Sequence, residues 1–357
     1  MSEYNIYMVN IYLTGSSGFL GKCIVDVFHK QDSISKIYCP IREKKGFSGN
    51  ERFIQLFKNK NKCSFIEPSE FIPSDTSIII LCAFSVSFNT DIKNTVHENV
   101  LPIYNRLIEY KTHKKLRIIF ISTAYVYEPN IQHTNLPIQV DYCPIDIMKR
   151  ILSEKLNWED IKKMTKNKYH VHNTYIYSKI LTESLLVKLS NNFVIVRPSQ
   201  ISISTNGKHT CKFGPLAIHK TIKTPFIRII NEKGYNNVIP VDIVAKTILK
   251  SLETHEKYIM VTSKKGVRFF KALQIYNKFF LNFNNPILFY IFRTIEMYIY
   301  KVLSLFNIIR NKDYIRIKQL YLNYDFFLKN HWFFPITNNL YNLNEIKHIL
   351  LCNKICD

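Results

Sequence analysis

Tyr175 and Lys179 stand four residues apart in the run Asn173-Thr174-Tyr175-Ile176-Tyr177-Ser178-Lys179. On a helix, side chains at that spacing leave one face about a turn from each other. An unperturbed phenol titrates near ~10, so acid chemistry at neutral pH needs a shift of about three units, ~4 kcal/mol. An ammonium held beside the phenol supplies part of that shift. Tyr177 is a weaker candidate, because it lies two residues from Lys179 and so on a different face. A second hydroxyl stands at the end of an apolar run, in Ile121-Ser122-Thr123-Ala124-Tyr125. At the C-terminal edge of a strand, Thr123 could donate to the same carbonyl oxygen that the phenol serves.

A glycine-rich loop, Thr14-Gly15-Ser16-Ser17-Gly18-Phe19-Leu20-Gly21, comes some 150 residues earlier, between a first strand and a first helix. Glycine there permits a tight turn, lets a pyrophosphate approach bare backbone, and allows close helix–strand packing. The helix N-terminus adds unsatisfied N–H groups and a positive dipole. Gly15, Ser17, Gly18, Phe19, Leu20 and Gly21 are therefore candidate dinucleotide-binding residues. About 20 residues on, the second strand ends in Ile41-Arg42-Glu43-Lys44-Lys45. A carboxylate at such a strand end binds a ribose 2′-hydroxyl, and an arginine accepts a 2′-phosphate. Glu43 offers the first and Arg42 the second, and the two lysines tip the field toward NADPH. The alternative is a solvated charged loop.

The elements that must position these groups are readable as short apolar runs: Tyr7–Leu13, Lys36–Ile41, Cys63–Ile66, Ser77–Cys82, Arg117–Ser122 and Phe193–Arg197. They lack polar alternation, as strands buried on both faces should. Helical patterns at Phe19–Lys30, Ile92–His113 and Tyr175–Leu189 lie between them. The alternation predicts an α/β fold, a doubly wound parallel sheet of Rossmann type with helices on both faces. Near Lys264 the composition turns helical and aromatic, so a smaller helical C-terminal domain is expected over 264–357 after a dinucleotide-binding domain over 1–263.

The chain has 357 residues, of which 46% are apolar, enough for a large core. Its 49 Lys and Arg against 27 Asp and Glu give a formal charge of +22. Such a surface suits an anionic partner. Abundant Ile, Asn, Lys, Tyr and Phe are also what an A- and T-rich genome produces, so charge alone selects no partner. No nucleic-acid motif accompanies it, and nucleic acid is not an expected partner. Eight scattered cysteines without a CxxC pair suit a reducing compartment, and eleven histidines show no metal-ligand spacing. The N-terminal run reads as a strand and not a signal peptide. No run reaches the ~18 uncharged apolar residues of a membrane span. An intracellular, cytoplasmic protein is expected.

One helix, Ile287–Arg310, is amphipathic. Arg293, Glu296, Lys301, Ser304, Asn307 and Arg310 fall on one half of the wheel; Ile291, Ile295, Tyr298, Val302, Leu305 and Ile309 fall on the other. It could pack on a core or lie in a membrane interface.

Together these residues resemble the fatty acyl-CoA reductases, extended short-chain dehydrogenase/reductases with a male-sterility-type C-terminal domain. The likeness runs through LTGSSGFLGK, KIYCPIREKKG, HENVLPIYNRLIEY, IIFISTAYVYEP, HNTYIYSKILTESLL, FVIVRPSQISIS and NNVIPVDIVAKTIL, and closes on DFFLKNHWFFPITNNLYNL with Trp332. The resemblance implies NADPH-dependent reduction of a long-chain fatty acyl-CoA to a fatty alcohol through an aldehyde. It implies Thr123, Tyr175 and Lys179 as the catalytic group with Ser122 beside it. Gly15, Gly18 and Gly21 would hold the pyrophosphate, and Arg42 and Lys45 the 2′-phosphate. Asn99 would help position the lysine through water, and Pro198 and Ser199 would pass the nicotinamide. The basic tract at Lys162, Lys163, Lys166 and Lys168 is a solvated face able to attract coenzyme A phosphates. A lipid substrate also suits peripheral contact with the cytosolic face of an organelle membrane, endoplasmic reticulum or peroxisome. Another extended reductase, such as a hydroxysteroid dehydrogenase, or a silent NADP-binding regulator would share parts of this pattern.

The chain departs from the family pattern at several points. The stretch after IREKKG is abbreviated, and Ile66-Glu67-Pro68 stands where a Gly-Asp pair is expected. The His-x-Ala-Ala pattern after the fourth strand reads Leu81-Cys82-Ala83-Phe84, and KFGP replaces a Pro-Gly-Trp signature. These changes bear on cofactor affinity and substrate range more than on the catalytic step.

Overall fold

The computed structural model describes residues 8–88, 90–110, 116–127, 143–166, 171–210, 228–230, 237–263, 280–282, 285–315, 317–318 and 334. Contacts group the chain into two units. The first is Met1–Tyr127 with Asn135–Pro198 and Val241–Val261; the second is Glu128–Thr134 with Ser199–Pro240 and Thr262–Asp357.

The first unit is built on a seven-stranded sheet, parallel throughout. Its strands are β1 (Val9–Thr14), β2 (Ile34–Pro40), β3 (Cys63–Ile66), β4 (Ile78–Leu81), β5 (Arg117–Ile121), β6 (Phe193–Pro198) and β10 (Tyr258–Val261), in the order β10-β6-β5-β4-β1-β2-β3. All four residues of β4 and all six of β6 are buried, which is why they read as unbroken apolar runs. The order reverses between β1 and β4, and an open sheet of this kind offers a ligand crevice at that point, outside the C-terminal strand ends. The glycine loop follows the end of β1, the basic turn that of β2 and Ser122-Thr123 that of β5, whereas Tyr175 and Lys179 belong to the helix over Thr174–Leu189.

Helices α1 (Phe19–Phe28), α2 (Gly49–Phe57), α3 (Ile92–Thr95), α4 (Leu101–Tyr110), α5 (Pro144–Leu152), α6 (Trp158–Thr165), α7 (Thr174–Leu189) and α8 (Val241–Lys250) complete the unit. α7 is buried on nearly every side, from Ile176 through Glu183 without a break. Its start is pinned by the Asn173 side chain, which accepts from the Ile176 N–H at 2.8 Å, and by Thr174, whose hydroxyl donates to the Thr90 carbonyl at 2.8 Å. The single helix expected over 92–113 is instead α3, a π-helical turn over Val96–Val100, and α4, which ends at Tyr110. A wide turn of that kind re-aims side chains where a straight helix could not. Residues 111–113 and Tyr7 lie outside the described residues.

The second unit pairs β7 (Gln200–Ser202) with β9 (Val238–Pro240), and β8 (Arg228–Ile230) with β11 (Phe280–Asn282), both in parallel. A single division after residue 263 would keep 199–240 with the large sheet. The β7–β9 pairing instead draws that segment into the second unit, which is therefore not purely helical. α9 (Pro286–Leu305) is shorter than the helix expected to Arg310, because Phe306 caps it and Asn307 takes a positive φ of 56°. Its burial does not divide along the polar and apolar halves of the wheel, since Glu296 is buried and Lys301 exposed. Phe289, Glu296 and Tyr300 are buried, while Ile287, Ile291, Ile295, Tyr298 and Leu305 are exposed, Tyr298 by 68% and Leu305 by 72%. Tyr300 packs with Ile309 and Ile317, flanked by Met297, Leu303 and Tyr314. Lys168, KFGP and all of DFFLKNHWFFPITNNLYNL except Phe334, Trp332 included, lie outside the described residues.

Candidate active site

Gly15 follows β1 with φ +72°, and a Cβ there would stand 2.8 Å from the Ala83 nitrogen. The glycine is required twice over, by its backbone conformation and by the approach of the β4 end. A Cβ at Gly21 would fall 2.0 Å from the Gly15 carbonyl oxygen, so α1 can meet the loop only with glycine in its first turn. The Gly18 N–H donates to the Gly15 carbonyl at 2.8 Å and closes the turn. Among the described residues no side chain caps α1 at Gly18, and its first turn carries no acidic residue. Bare backbone beside an uncapped helix N-terminus fits a dinucleotide pyrophosphate. Ser17 and Phe19 are partly exposed around this turn, whereas Leu20 and Gly21 are buried beneath it.

After β2, Arg42 and Lys45 are both exposed, on a tight turn in which Lys44 and Phe47 exchange backbone hydrogen bonds. Lys45 and Gly46 both take positive φ, at 57° and 78°. The structure adds a third cation here. Arg52 of α2 reaches back to donate to the Arg42 carbonyl and to the Ser17 hydroxyl at 3.5 Å, joining the basic turn to the glycine loop. The signal for it is Ser48-Gly49-Asn50-Glu51, a capping box in which Ser48 and Glu51 satisfy each other's backbone N–H groups. That box starts α2 and sets Arg52 in its first turn. Its reciprocal bonds also hold the Glu51 carboxyl below its usual range, through the Ser48 backbone first and its hydroxyl second.

Lys179 lies between the Tyr175 ring and the C-terminal end of β5, which Thr123 follows. The Lys179 ammonium donates to the Ile121 carbonyl at 2.6 Å and lies 5.7 Å from the Tyr175 ring centroid. Thr123 follows two residues later and its hydroxyl oxygen accepts from the Tyr125 N–H at 3.3 Å. Tyr175 is partly exposed, while Tyr177 is 1% exposed and packs edge-on against Trp158. Burial pushes the Lys179 pKa down to about 7, against the opposing pull of Cys82 and Glu183.

Two of the expected cofactor residues are engaged elsewhere. The Ser122 hydroxyl donates to the Glu183 carboxylate, which is also held by Arg197 through Nε at 3.0 Å and through Nη2 at 2.5 Å. Arg197 donates onward to the Tyr127 hydroxyl at 3.0 Å. Burial works against the Arg197 charge, but Glu183 beside it raises its pKa on balance. Asn99, at the π-helical turn, accepts from the Ser85 N–H at 2.7 Å and donates back to the Ser85 carbonyl at 3.1 Å. Its amide thus braces the loop after β4. Pro198 ends β6 and pairs with Val261, and the buried Ser199 opens the second unit.

The Phe88 ring packs on Tyr175 at a centroid distance of 5.6 Å. It also lines a cavity of about 720 Å³, together with Thr90, Ile92, Leu156, Trp158 and His172. That is the size range of small-molecule sites, ~300–1,000 Å³. No group of three or more His, Cys, Asp and Glu side chains that could hold a metal occurs among the described residues.

The chain matches the Male sterility protein family over residues 13–76 and 66–248. It is 26% identical over 280 residues to fatty acyl-CoA reductase 1 of Rattus norvegicus, covering 67% of this chain and 53% of that protein. It is 28% identical over 281 residues to fatty acyl-CoA reductase 2 of Homo sapiens, with the same coverage. The chain thus spans about half the length of the curated relatives it matches. Among solved structures, a terminal reductase domain of the myxalamid biosynthetic pathway aligns with a TM-score of 0.66 at 12% identity, over 98% of this chain and 90% of that one. UDP-glucuronic acid 4-epimerase from Bacillus cereus, in complex with NAD, aligns with a TM-score of 0.55 at 16% identity, over 77% of this chain and 87% of that one. These two likenesses establish the extended Rossmann-type fold. The family match, spanning residues 13 to 248 of 357 and so well over half the chain, establishes that the protein belongs to the Male sterility protein family with its NAD-binding domain.

Proposed function

We propose that this protein reduces long-chain fatty acyl-CoA to the fatty alcohol through an aldehyde, with NADPH as the reductant. The observation that carries the reading is the placement of Lys179 between the Tyr175 ring and the end of β5, which Thr123 follows. The nicotinamide coenzyme supplies the hydride. Gly15, Gly18 and Gly21 hold its pyrophosphate, and the exposed Arg42 and Lys45, with Arg52 behind them, meet a 2′-phosphate. Tyr175 and Thr123 donate hydrogen bonds to the thioester carbonyl oxygen as it gains negative charge. Once the carbonyl carbon has taken the hydride, the carbon–sulfur bond breaks, coenzyme A leaves as a thiolate that is protonated from water, and the aldehyde remains. In the second reduction, for which a second equivalent of NADPH is needed as hydride donor, the aldehyde oxygen takes its proton from Tyr175. Lys179 keeps Tyr175 acidic and binds the coenzyme ribose. The cavity behind Phe88 gives the substrate room beside Tyr175.

The test is to incubate purified protein with acyl-CoAs of graded chain length and either NADPH or NADH, extracting the lipid products. The reading expects alcohol from long chains with NADPH, a smaller yield with NADH, and free coenzyme A in step with product. Coenzyme oxidation without lipid product, or reduction of a sterol ketone in place of acyl-CoA, would contradict it.

A membrane-surface location belongs to the same proposal. No helix among the described residues is long and apolar enough to cross a membrane. α9 nevertheless carries exposed Ile287, Ile291, Ile295 and Tyr298 at three- and four-residue spacing, which forms one apolar stripe. A helix lying in the headgroup region would cover that stripe, and the basic chain would favour acidic lipid.

A further inference from the structure

Phe84 touches both members of the Tyr–Lys pair. The Lys179 ammonium lies 3.5 Å from the Phe84 ring centroid and 4.8 Å from that of Phe120. The same Phe84 ring meets Tyr175 edge-on at 5.8 Å, with the planes 81° apart. Its backbone is braced on either side. Before it, the N–H groups of Cys82 and Ala83 both donate to the Thr14 hydroxyl, at 2.9 and 3.1 Å. After it, Ser85 is clamped by both ends of the Asn99 amide. The ring therefore stands on a short segment fixed to β1 at one end and to the π-helical turn at the other.

We infer that Phe84 is a positioning residue for Lys179: its ring face seats the ammonium, its edge seats Tyr175, and the braced segment fixes the two relative to each other. The inference rests on the reading of Tyr175 and Lys179 as the working pair. A cation over an aromatic face is drawn to the ring quadrupole, and the attraction grows when water is excluded. Lys179 is 3% exposed, so water is excluded here. The charged and titratable groups around it are few. The Cys82 thiol, pushed up to about 11 by burial, is uncharged. Glu183 divides its carboxylate between Ser122 and Arg197, with Tyr127 beyond. Tyr175 completes the set. Of the described contacts that favour the ammonium, the Ile121 carbonyl and the Phe84 ring are the nearest, with the Phe120 ring farther off at 4.8 Å.

The test replaces Phe84 by 3,4,5-trifluorophenylalanine through nonsense suppression, which keeps the ring's shape and strips its face of negative potential. Protein labelled with ¹³Cε-lysine is titrated by NMR without coenzyme or substrate, and the Lys179 signal is identified by its loss in Lys179→Met. Removing a group that favours the charged form should lower the Lys179 midpoint by about one pH unit, while Phe84→Tyr, which keeps the ring face, should leave it near the parent value. A midpoint that fluorination leaves unmoved would overturn the inference and reduce Phe84 to packing. NADPH titration across the same pH range is the second arm. Binding should weaken as pH rises through the Lys179 midpoint, and the fluorinated protein should show that loss about one unit lower. If the NMR midpoint moves and NADPH binding does not follow, Phe84 still seats the lysine, and the reading of Lys179 as a coenzyme ligand is what fails.

Discussion

At the scale of single residues, Lys179 occupies a place where a charge is costly. Its pKa of about 7 lies well below that of an unfolded lysine, so between those values the unfolded chain binds the extra proton. The penalty is full below pH ~7 and fades as pH rises toward ~10. Lys179→Met should therefore raise the melting temperature, by an amount corresponding to about 2–4 kcal/mol at pH 6 and shrinking toward pH 10. The same variant should abolish acyl-CoA reduction. Equal melting temperatures for the two proteins at pH 6 would refute the burial argument. Glu183 and Arg197 behave oppositely, because each is the other's compensation at 3% and 1% side-chain exposure. Arg197→Met should cost about 3–5 kcal/mol in denaturant unfolding, since it strands a buried carboxylate. A loss under ~1 kcal/mol would mean that Glu183 finds another partner. The choice of Tyr175 over Tyr177 rests on spacing, and the two differ in burial, Tyr175 being partly exposed and Tyr177 buried. The hydrogen-bond partners of Ser122 and Asn99 were not legible, because Glu183 and Ser85 lie 61 and 14 residues away.

At the scale of elements, the glycine loop and the basic turn make separable demands on backbone. Gly21→Ala places a methyl against the Gly15 carbonyl, with only backbone nearby to give way. It should lower stability by about 1–3 kcal/mol or more and eliminate coenzyme binding. Gly46 has open space around it but a φ of +78°. Gly46→Ala should cost about 1 kcal/mol of strain and leave coenzyme binding intact. Calorimetric melting together with coenzyme fluorescence titration checks both, and equal effects would show that crowding is not what governs the loop. Arg52→Ala should erode the preference for NADPH through KM with kcat nearly unchanged, because its contact is the same in ground and transition states. Steady-state kinetics with both coenzymes decides it, and an unaltered preference would leave Arg52 a purely structural link. β3 and the start of α1 fall where the residue pattern placed them, because a short run ending in Phe65-Ile66 and a glycine turn are local signals. β10 and α2 had no comparably strong local pattern. β10 is four residues long, and α2 buries only Gly49 and Phe57.

At the scale of the whole molecule, the amphipathic wheel of α9 was legible and its orientation was not. Which half of a helix turns inward depends on what the neighbouring chain offers, and here Phe289, Glu296 and Tyr300 were chosen. The two strand pairs of the second unit were also missed, because three-residue strands leave no periodicity to read. The exposed stripe yields a direct test. Arg293 stacks over Phe289 and Arg310 pairs with Asp313, so charge reversal at either would disturb packing. Ile291→Glu together with Ile295→Glu should instead abolish co-sedimentation with acidic liposomes at low salt while preserving the melting temperature; undiminished binding would remove α9 from the membrane. The central claim concerns what the assembled site does with a thioester. Its most direct measurement is product formation from a long-chain acyl-CoA and NADPH by the parent protein and by Tyr175→Phe. The account predicts fatty alcohol from the parent, and at least tenfold less from the variant, at nearly unchanged NADPH affinity, a loss of the size expected when a general acid is removed. Turnover by Tyr175→Phe above about a tenth of the parent's would contradict it.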